Sequence, residues 1–325
     1  MRSRFSAARV VVSLFVCAAM LSVVAAVASA PASALARYPD SSDSGAQTRT
    51  FRLPETPGAP LVPNANNYAT RASTPGPLLL FLPATGAVPA EYHEFLDTAA
   101  SSGYHVLGLD YRNLGRSVTE TCKANATCYT AIQQNRFDGS HPSRFSKVNK
   151  ANSVLGRLQA ALRYLINHDK AGDWGRYLSG SQIKWDQIVL AGHSQGGGES
   201  AYISHLHSVH GVLMFSSPVA TFNGVSASWM SSPGATPAAR MYGFVNSGDL
   251  YVRRIIGSWT KLDLTGDAPP TSASIPTGSH ALVSTLAVGN GEQSHFMSVA
   301  DSTPQNALGS PVYQPVWTWM LRQVR

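Results

Sequence analysis

Short apolar runs alternate with amphipathic segments from residue 77 to the end of the chain. A strand buried on both faces reads as a continuous apolar run, whereas a surface helix places apolar residues three or four positions apart. Strands are therefore predicted at 77–83, 104–111, 186–192, 211–218, 240–248 and 281–288. Helices are predicted at 89–103, 149–169, 194–208 and 311–324. This alternation predicts an α/β fold, with a mostly parallel central sheet and helices on both faces.

Three further segments lack this regular pattern. Residues 112–148 and 219–239 show no helical or strand period, so we expect irregular structure there that shapes a pocket. Residues 37–76 are rich in Ser, Pro, Ala and Asn, with one apolar-alternating stretch, "TRTFRLP", at 48–54. They are predicted to be a lead-in segment that contributes an edge strand before the main domain, 77–325.

The first 36 residues have the pattern of a secretory signal peptide. Three arginines in the first nine residues precede an uncharged apolar run, and the small-residue sites "ASA" (28–30) and "ALA" (34–36) follow it. This order of charge, apolar run and cleavage site is typical of signal peptides. Residues 1–36 are therefore predicted to be removed, which leaves a secreted protein, extracellular or periplasmic, without a stable membrane span. An uncleaved anchor is the alternative, because the run is long.

The charge and the cysteine content indicate which kinds of partner and which cellular compartment to expect. The whole chain carries 25 basic and 18 acidic residues, so removing the three arginines of residues 1–36 lowers the net charge from +7 to +4. The basic residues are scattered, which argues against a nucleic-acid partner. Two cysteines remain, Cys122 and Cys128, and in an exported protein such a close pair favours a disulfide over two free thiols.

The stretch "LAGHSQGGGES" contains the pattern Gly192-x-Ser194-x-Gly196. It directly follows one predicted strand and opens a predicted helix, which is the context of a nucleophile elbow. There the serine occupies a strained backbone conformation at the tip of a sharp turn, and larger side chains two residues away on either side would collide. Ser194 is therefore the candidate nucleophile, and a plain glycine turn is the alternative.

A serine nucleophile needs a base that an acid orients. In a sheet of this kind the acid and then the histidine follow the serine along the chain. Asp249 comes at the end of the strand 240–248, and His295 lies in the loop before the closing helix. Asp263 and Asp267 are weaker alternatives for the acid. His280 is the weaker alternative for the base, because it precedes its strand and so lies at the wrong end of the sheet.

Two backbone N–H groups are expected to stabilise an oxyanion. One belongs to Gln195, the residue after the candidate nucleophile. The other is assigned to Thr85, in the loop "FLPATGAVP" that follows the first buried strand. An ordinary β–α turn is the alternative interpretation of the Thr85 loop.

The motifs "GHSQGG", "NSGD" and "QSHF" together resemble the α/β-hydrolase family, in particular its secreted lipase- and esterase-like members. The resemblance covers most of residues 77–325 and implies that they form a catalytic domain. It implies hydrolysis of carboxylic esters by Ser194, Asp249 and His295 through an acyl-enzyme, with no cofactor and no metal. Small-molecule, lipid and polyester esters are all possible substrates. Many members have His-Gly where this chain has Pro83-Ala84, which bears on the second oxyanion donor.

Two other functions fit the same sequence. The first is a peptidase or an acyltransferase that uses the same three residues, since neither amide cleavage nor transfer to an alcohol needs a different triad. The second is a binding protein with this fold and no catalysis. A complete serine, aspartate and histidine set in the expected order favours an enzyme.

Overall fold

The computed structural model describes residues 47–61, 64–74, 76–264 and 278–325. The predicted signal peptide, the start of the lead-in segment and Asp267 lie outside the described residues. None of the described helices combines the length and the apolar character needed to cross a bilayer.

Eight strands form the main sheet, which confirms the predicted architecture. They are β1 (Gln47–Phe51), β2 (Asn67–Arg71), β3 (Leu78–Leu82), β4 (His105–Gly108), β5 (Ile188–His193), β6 (Gly211–Phe215), β7 (Met241–Asn246) and β8 (Ala281–Ser284). The helices are α1 (His93–Ser101), α2 (Val118–Cys122), α3 (Ala126–Asp138), α4 (Val154–His168), α5 (Gln195–Leu206), α6 (Val252–Lys261), α7 (Glu292–Phe296) and α8 (Gln314–Gln323).

The strand order across the sheet is β1-β2-β4-β3-β5-β6-β7-β8. Strand β2 runs antiparallel to both its neighbours, and every other pair is parallel. The chain turns outward from β3 to β4 and then crosses back over β3 to β5. Where the connections that leave two neighbouring strands run in opposite directions, the carboxyl ends of those strands border a crevice. These strands are β3 and β5, so the fold predicts a binding site beyond their carboxyl ends.

Two apolar cores lie on opposite faces of this sheet. Alternate residues of β3 divide between them: Leu78, Leu80 and Leu82 pack in one core, and Leu79 and Phe81 in the other. The first core contains residues of α3, α4, α5 and α6, and the second contains residues of α1 and α8. The predicted strands read as continuous apolar runs because both of their faces are covered.

The segment 112–148 differs from its prediction, because it contains two helices. Helix α3 has no apolar stripe: its buried side chains include Gln133, Asn135 and Arg136. A helix packed on several sides, partly through polar residues, leaves no period in the sequence. The predicted disulfide is present, with Cys122 at the end of α2 bonded to Cys128 in the first turn of α3 and their Cα atoms 5.4 Å apart.

The lead-in segment contributes more than one strand to the sheet. The predicted edge strand is β1, which is exposed along most of its length. The unpredicted strand β2 lies between β1 and β4 and is mostly buried. The sheet of the main domain therefore extends upstream of residue 77.

Candidate active site

A sharp turn joins β5 to α5, and Ser194 lies at its tip. Its φ is +52°, a backbone conformation that residues other than glycine rarely adopt. The flanking glycines permit the turn: a Cβ on Gly192 would lie 2.4 Å from the carbonyl carbon of Gly196, and one on Gly196 would lie 1.9 Å from the carbonyl oxygen of Leu82. Ser194 N donates to Phe215 O, which fixes the turn over β6.

Asp249 and His295 are in direct contact with each other. Asp249 follows β7, and His295 belongs to the short helix α7. Asp249 Oδ2 lies 2.8 Å from His295 Nδ1, and both residues are buried. A carboxylate only accepts hydrogen bonds, so Nδ1 carries the proton and Nε2 is left as the basic nitrogen. The second carboxylate oxygen, Oδ1, accepts from Tyr251 N at 2.7 Å.

Backbone hydrogen bonds join the loops that carry these two side chains. Gly291 N donates to Gly248 O at 2.9 Å, and Leu250 N donates to Gly291 O at 3.3 Å. The turn before Asp249 is organised by Asn246, whose Oδ1 accepts from Gly248 N at 2.7 Å. This geometry fixes the aspartate and the histidine against each other through the main chain as well as through their side chains.

His193, the residue before Ser194, connects three parts of the site. Its Nε2 lies 3.0 Å from His295 O, and its Nδ1 lies 2.9 Å from the hydroxyl of Tyr92. Because a carbonyl only accepts, Nε2 donates and Nδ1 accepts from Tyr92, whose oxygen in turn accepts from Ala84 N. Complete burial and the nearby His295 lower the pKa of His193 well below its usual value, so the ring is neutral.

Ser194, Gln195 and Thr85 line one cleft of about 420 Å³, including its open mouth. The Thr85 hydroxyl donates to Gln195 Oε1 at 2.9 Å, which joins the loop after β3 to the start of α5. The cleft is completed by residues from the two segments without sequence period: Ser117, Val118, Thr119, Tyr129, Gln133, Val219 and Ala220. The cleft lies at the crevice between the carboxyl ends of β3 and β5.

The alternative residues lie elsewhere. His280 precedes β8, and its Nδ1 lies 2.9 Å from the carbonyl oxygen of Met241, at the amino end of β7. Asp263 is exposed beyond the end of α6. The structure thus brings Asp249 together with His295, and leaves His280 at the opposite end of the sheet.

Comparison with known sequences bears on the family. A sequence model described as "alpha/beta hydrolase fold" matches residues 77–260, which is more than half of the chain. The chain belongs to the α/β-hydrolase family. The match runs from the start of β3 into α6, so it includes Ser194 and Asp249 of this α/β hydrolase, whereas His295 lies beyond it. No curated protein matches the sequence.

The chain is also similar, at low identity, to several solved structures. Carboxyl esterase 2 of the fungus Tuber melanosporum is 13% identical, with 88% of this chain and 90% of that one covered and a TM-score of 0.45. A thermophilic esterase of Thermogutta terrifontis is 15% identical over 88% and 95% of the chains, with a TM-score of 0.40. A sugar hydrolase of Lactococcus lactis is 15% identical over 86% and 97%, with a TM-score of 0.43.

The sequence analysis did not identify several residues that shape the site. Tyr92, His193 and Asn246 hold the loops in place, and Glu199 lies buried at the cleft. Asn246 had a readable signal, because an asparagine before Ser-Gly-Asp is typical of a turn closed by its side chain. Tyr92 and Glu199 had none, since their roles depend on partners far away along the chain.

Proposed function

We propose that this α/β hydrolase cleaves carboxylic esters, with Ser194 as nucleophile, His295 as general base and Asp249 as the orienting acid. The observation that carries the proposal is the buried 2.8 Å contact between Asp249 and His295. The His295 ring packs against that of His193, with centroids 5.1 Å apart, next to a serine in a strained turn. Residues 77–325, with strands β1 and β2, would form the catalytic domain.

The proposed chemistry uses the hydrogen bond between His295 and Asp249. His295 donates a hydrogen bond from Nδ1 to Asp249. Its Nε2 then accepts the hydroxyl proton of Ser194 as the serine oxygen attacks the ester carbonyl carbon. The tetrahedral intermediate collapses, the C–O bond to the alcohol breaks, and the imidazolium returns its proton to that alcohol. Water, deprotonated in the same way, then releases the acid from Ser194. Asp249 stabilises the imidazolium at each step.

The negative oxygen of the intermediate would be stabilised by the N–H groups of Gln195 and Thr85. Gln195 is the first residue of α5, so its N–H points out of the helix toward negative charge. The hydrogen bond from the Thr85 hydroxyl to the Gln195 side chain holds the two residues on the same wall of the cleft. This loop departs from His-Gly at Pro83-Ala84, and its main chain is held at Ala84, whose N donates to the hydroxyl of Tyr92.

We also propose that the protein acts outside the reducing cytoplasm. The disulfide between Cys122 and Cys128 supports this location, since such bonds persist in oxidising compartments. The predicted signal peptide, residues 1–36, would provide export. Mass spectrometry of the secreted protein would show both the cleavage site and whether the two thiols resist alkylation before reduction.

The test is hydrolysis of p-nitrophenyl esters from acetate to palmitate by the wild type and by Ser194→Ala. We expect the variant to lose nearly all turnover, about 10⁶-fold in kcat, and Asp249→Asn to lose about 10⁴-fold. His280→Ala is the matched control and should turn over like the wild type. Full activity in Ser194→Ala would refute the assignment. Labelling of Ser194 by a fluorophosphonate without ester turnover would instead indicate a peptidase or an acyltransferase.

A further inference from the structure

One asparagine holds the turn that carries Thr85. Ala87 N donates to Ala84 O at 3.1 Å, which closes a four-residue turn, and Gly86 within it has a φ of +75°. Asn113 Nδ2 donates to Ala84 O and to Ala87 O, each at 2.7 Å. Asn113 O accepts from Gly86 N at 3.3 Å. A single residue therefore bonds to the first, third and fourth residues of the turn, and Thr85 is the second.

The side chain of Asn113 is committed to this turn. Asn113 lies in the loop after β4 and is buried. Exchange of its amide nitrogen and oxygen would place an oxygen against two carbonyl oxygens, which only accept, so Nδ2 faces the turn. Its Oδ1 has no hydrogen-bond partner within the described part of the chain. Both hydrogen bonds of the amide are therefore made with the turn.

A second buried side chain joins this loop to Gln195. The hydroxyl of Tyr111 donates to Pro83 O at 2.9 Å and accepts from Gln195 Nε2 at 3.3 Å. At the other side of the same amide, Gln195 Oε1 accepts from the Thr85 hydroxyl at 2.9 Å. The hydrogen bonds of Tyr111 thus connect the two residues whose N–H groups are proposed to stabilise the oxyanion.

These hydrogen bonds leave two main-chain N–H groups unused at the cleft. Within the described residues, neither Thr85 N nor Gln195 N has an acceptor, whereas the N–H groups of Ala84 and Gly86, on either side of Thr85, are bonded. Thr85 and Gln195 line the cleft together with Ser194. An N–H group without an acceptor at a cleft can donate to a negative oxygen that forms there.

We propose that Asn113 and Tyr111 are positioning residues for the oxyanion hole, and that they keep the Thr85 N–H directed at the substrate oxygen that becomes negative. The inference rests on the proposed ester hydrolysis at Ser194. Both residues act through the loop after β3. An N–H stabilises the oxyanion only if it lies within hydrogen-bond distance of the place where that oxygen forms, and a turn held at its other residues provides this preorganisation.

The experiment measures kcat and KM for p-nitrophenyl butyrate and the inhibition constant of a trifluoromethyl ketone of similar length. The Ser194 oxygen adds to the ketone carbonyl carbon, and the former carbonyl oxygen becomes negative, so the inhibitor needs the oxyanion hole as the transition state does. Asn113→Ala should lower kcat about 100-fold, with KM within about threefold of the wild type. The ketone should bind more weakly by the factor by which kcat/KM falls.

Tyr111→Phe is a milder variant, because it keeps the ring and removes only the hydroxyl group. We expect kcat to fall about tenfold, the effect of one lost hydrogen bond, again with little change in KM and with a parallel loss of ketone affinity. Circular dichroism under the assay conditions shows whether each variant is folded.

Asn135→Ala is the matched control for a merely structural role. Asn135 in α3 is also a buried asparagine, and its Nδ2 donates to two main-chain carbonyl oxygens, those of Ser140 and Val148. Its side-chain hydrogen bonds are with residues 140–148, not with the loop after β3. We expect this variant to lose stability in urea but to keep the wild-type kcat and ketone affinity.

The outcomes separate this inference from the proposed function. Wild-type kcat and ketone affinity in folded Asn113→Ala or Tyr111→Phe would overturn it, and turnover lost in Ser194→Ala would leave ester hydrolysis standing. An equal fall in kcat for Asn135→Ala would also overturn it, because general destabilisation would then explain the effect. If Asn113→Ala does not fold, the result for Tyr111→Phe decides. A wild type that neither hydrolyses the ester nor is labelled by a fluorophosphonate would overturn both proposals.

Discussion

Replacing Gly196 by alanine tests whether the turn at Ser194 requires the close approach of two backbone segments. Gly196 lies in the first turn of α5, directly against the end of β3. A Cβ there would lie 1.9 Å from Leu82 O and 2.6 Å from Pro83 O. Both contacts are with main-chain atoms, so no side chain can rotate away to relieve them.

The structure sets a minimum for the displacement. Real Cβ atoms essentially never approach closer than 3.0 Å, so Leu82 and Gly196 must separate by at least 1.1 Å. Leu82 pairs in register with Gly192 in the centre of the sheet, which opposes that movement. Overpacking of this kind costs about 3 kcal/mol, which lowers Tm by about 6 °C or more. Because the loop of Pro83 and the Gln195 N–H move apart, we also expect activity to fall about 100-fold.

Thermal unfolding followed by circular dichroism, together with ester turnover, measures both effects. Gly198→Ala is the control for stability: it lies in the same helix, and its added Cβ would come no closer than 3.6 Å to a neighbour. That variant should keep or raise Tm, since alanine favours a helix by about 1 kcal/mol over glycine. A Gly196→Ala protein with wild-type Tm and wild-type turnover would refute the close-approach argument.

Three further predictions concern stability in urea. Cys122→Ser/Cys128→Ser should lower the free energy of unfolding by about 2 kcal/mol, the effect of a short cross-linked loop, and an unchanged midpoint would contradict it. Tyr92→Phe should cost about 1–3 kcal/mol, because His193 loses a buried donor; a smaller loss would argue against that hydrogen bond. The pKa of Glu199 is raised from 4.5 to about 8, so the folded state keeps a proton that the unfolded state releases, and this group destabilises the wild type increasingly between those pH values. Glu199→Gln should therefore gain stability over the wild type across that range, by at most about 5 kcal/mol, whereas a pH-independent difference would refute the shift.

Much of the fold was predictable because the sheet is covered on both faces. Residues 188–192 of β5 and all of β6 are apolar and buried, so these strands could be predicted from their own sequences. Strand β2 was missed because it buries Asn67, whose side chain bonds to the main chain of Phe51 and Asp110. Helix α6 carried a readable signal, with Ile255 and Trp259 four residues apart on its buried face.

In the candidate site, too, some residues could be predicted from their neighbours in the sequence, whereas others depend on residues far away along the chain. Ser194 was readable because the glycines that its turn requires lie within two residues of it. Asp249 and His295 are 46 residues apart in the sequence. Before the structure is known, only the order of the strands along the chain supports the prediction that the two residues are in contact. Tyr92 and His193 are separated by 101 residues, so their hydrogen bond had no counterpart in any local pattern.

The hydrogen bonds of two buried carboxyl groups distinguish the one that positions the proposed base from one whose burial lowers stability. Asp249 accepts from His295 and from Tyr251 N, so its capacity is used within the protein. Glu199 is different: of the cleft-lining side chains in the described residues, it is the one with buried polar atoms that lack a partner. A carboxyl group buried without a hydrogen-bond partner destabilises the folded state, which is the physical basis of the stability gain expected for Glu199→Gln.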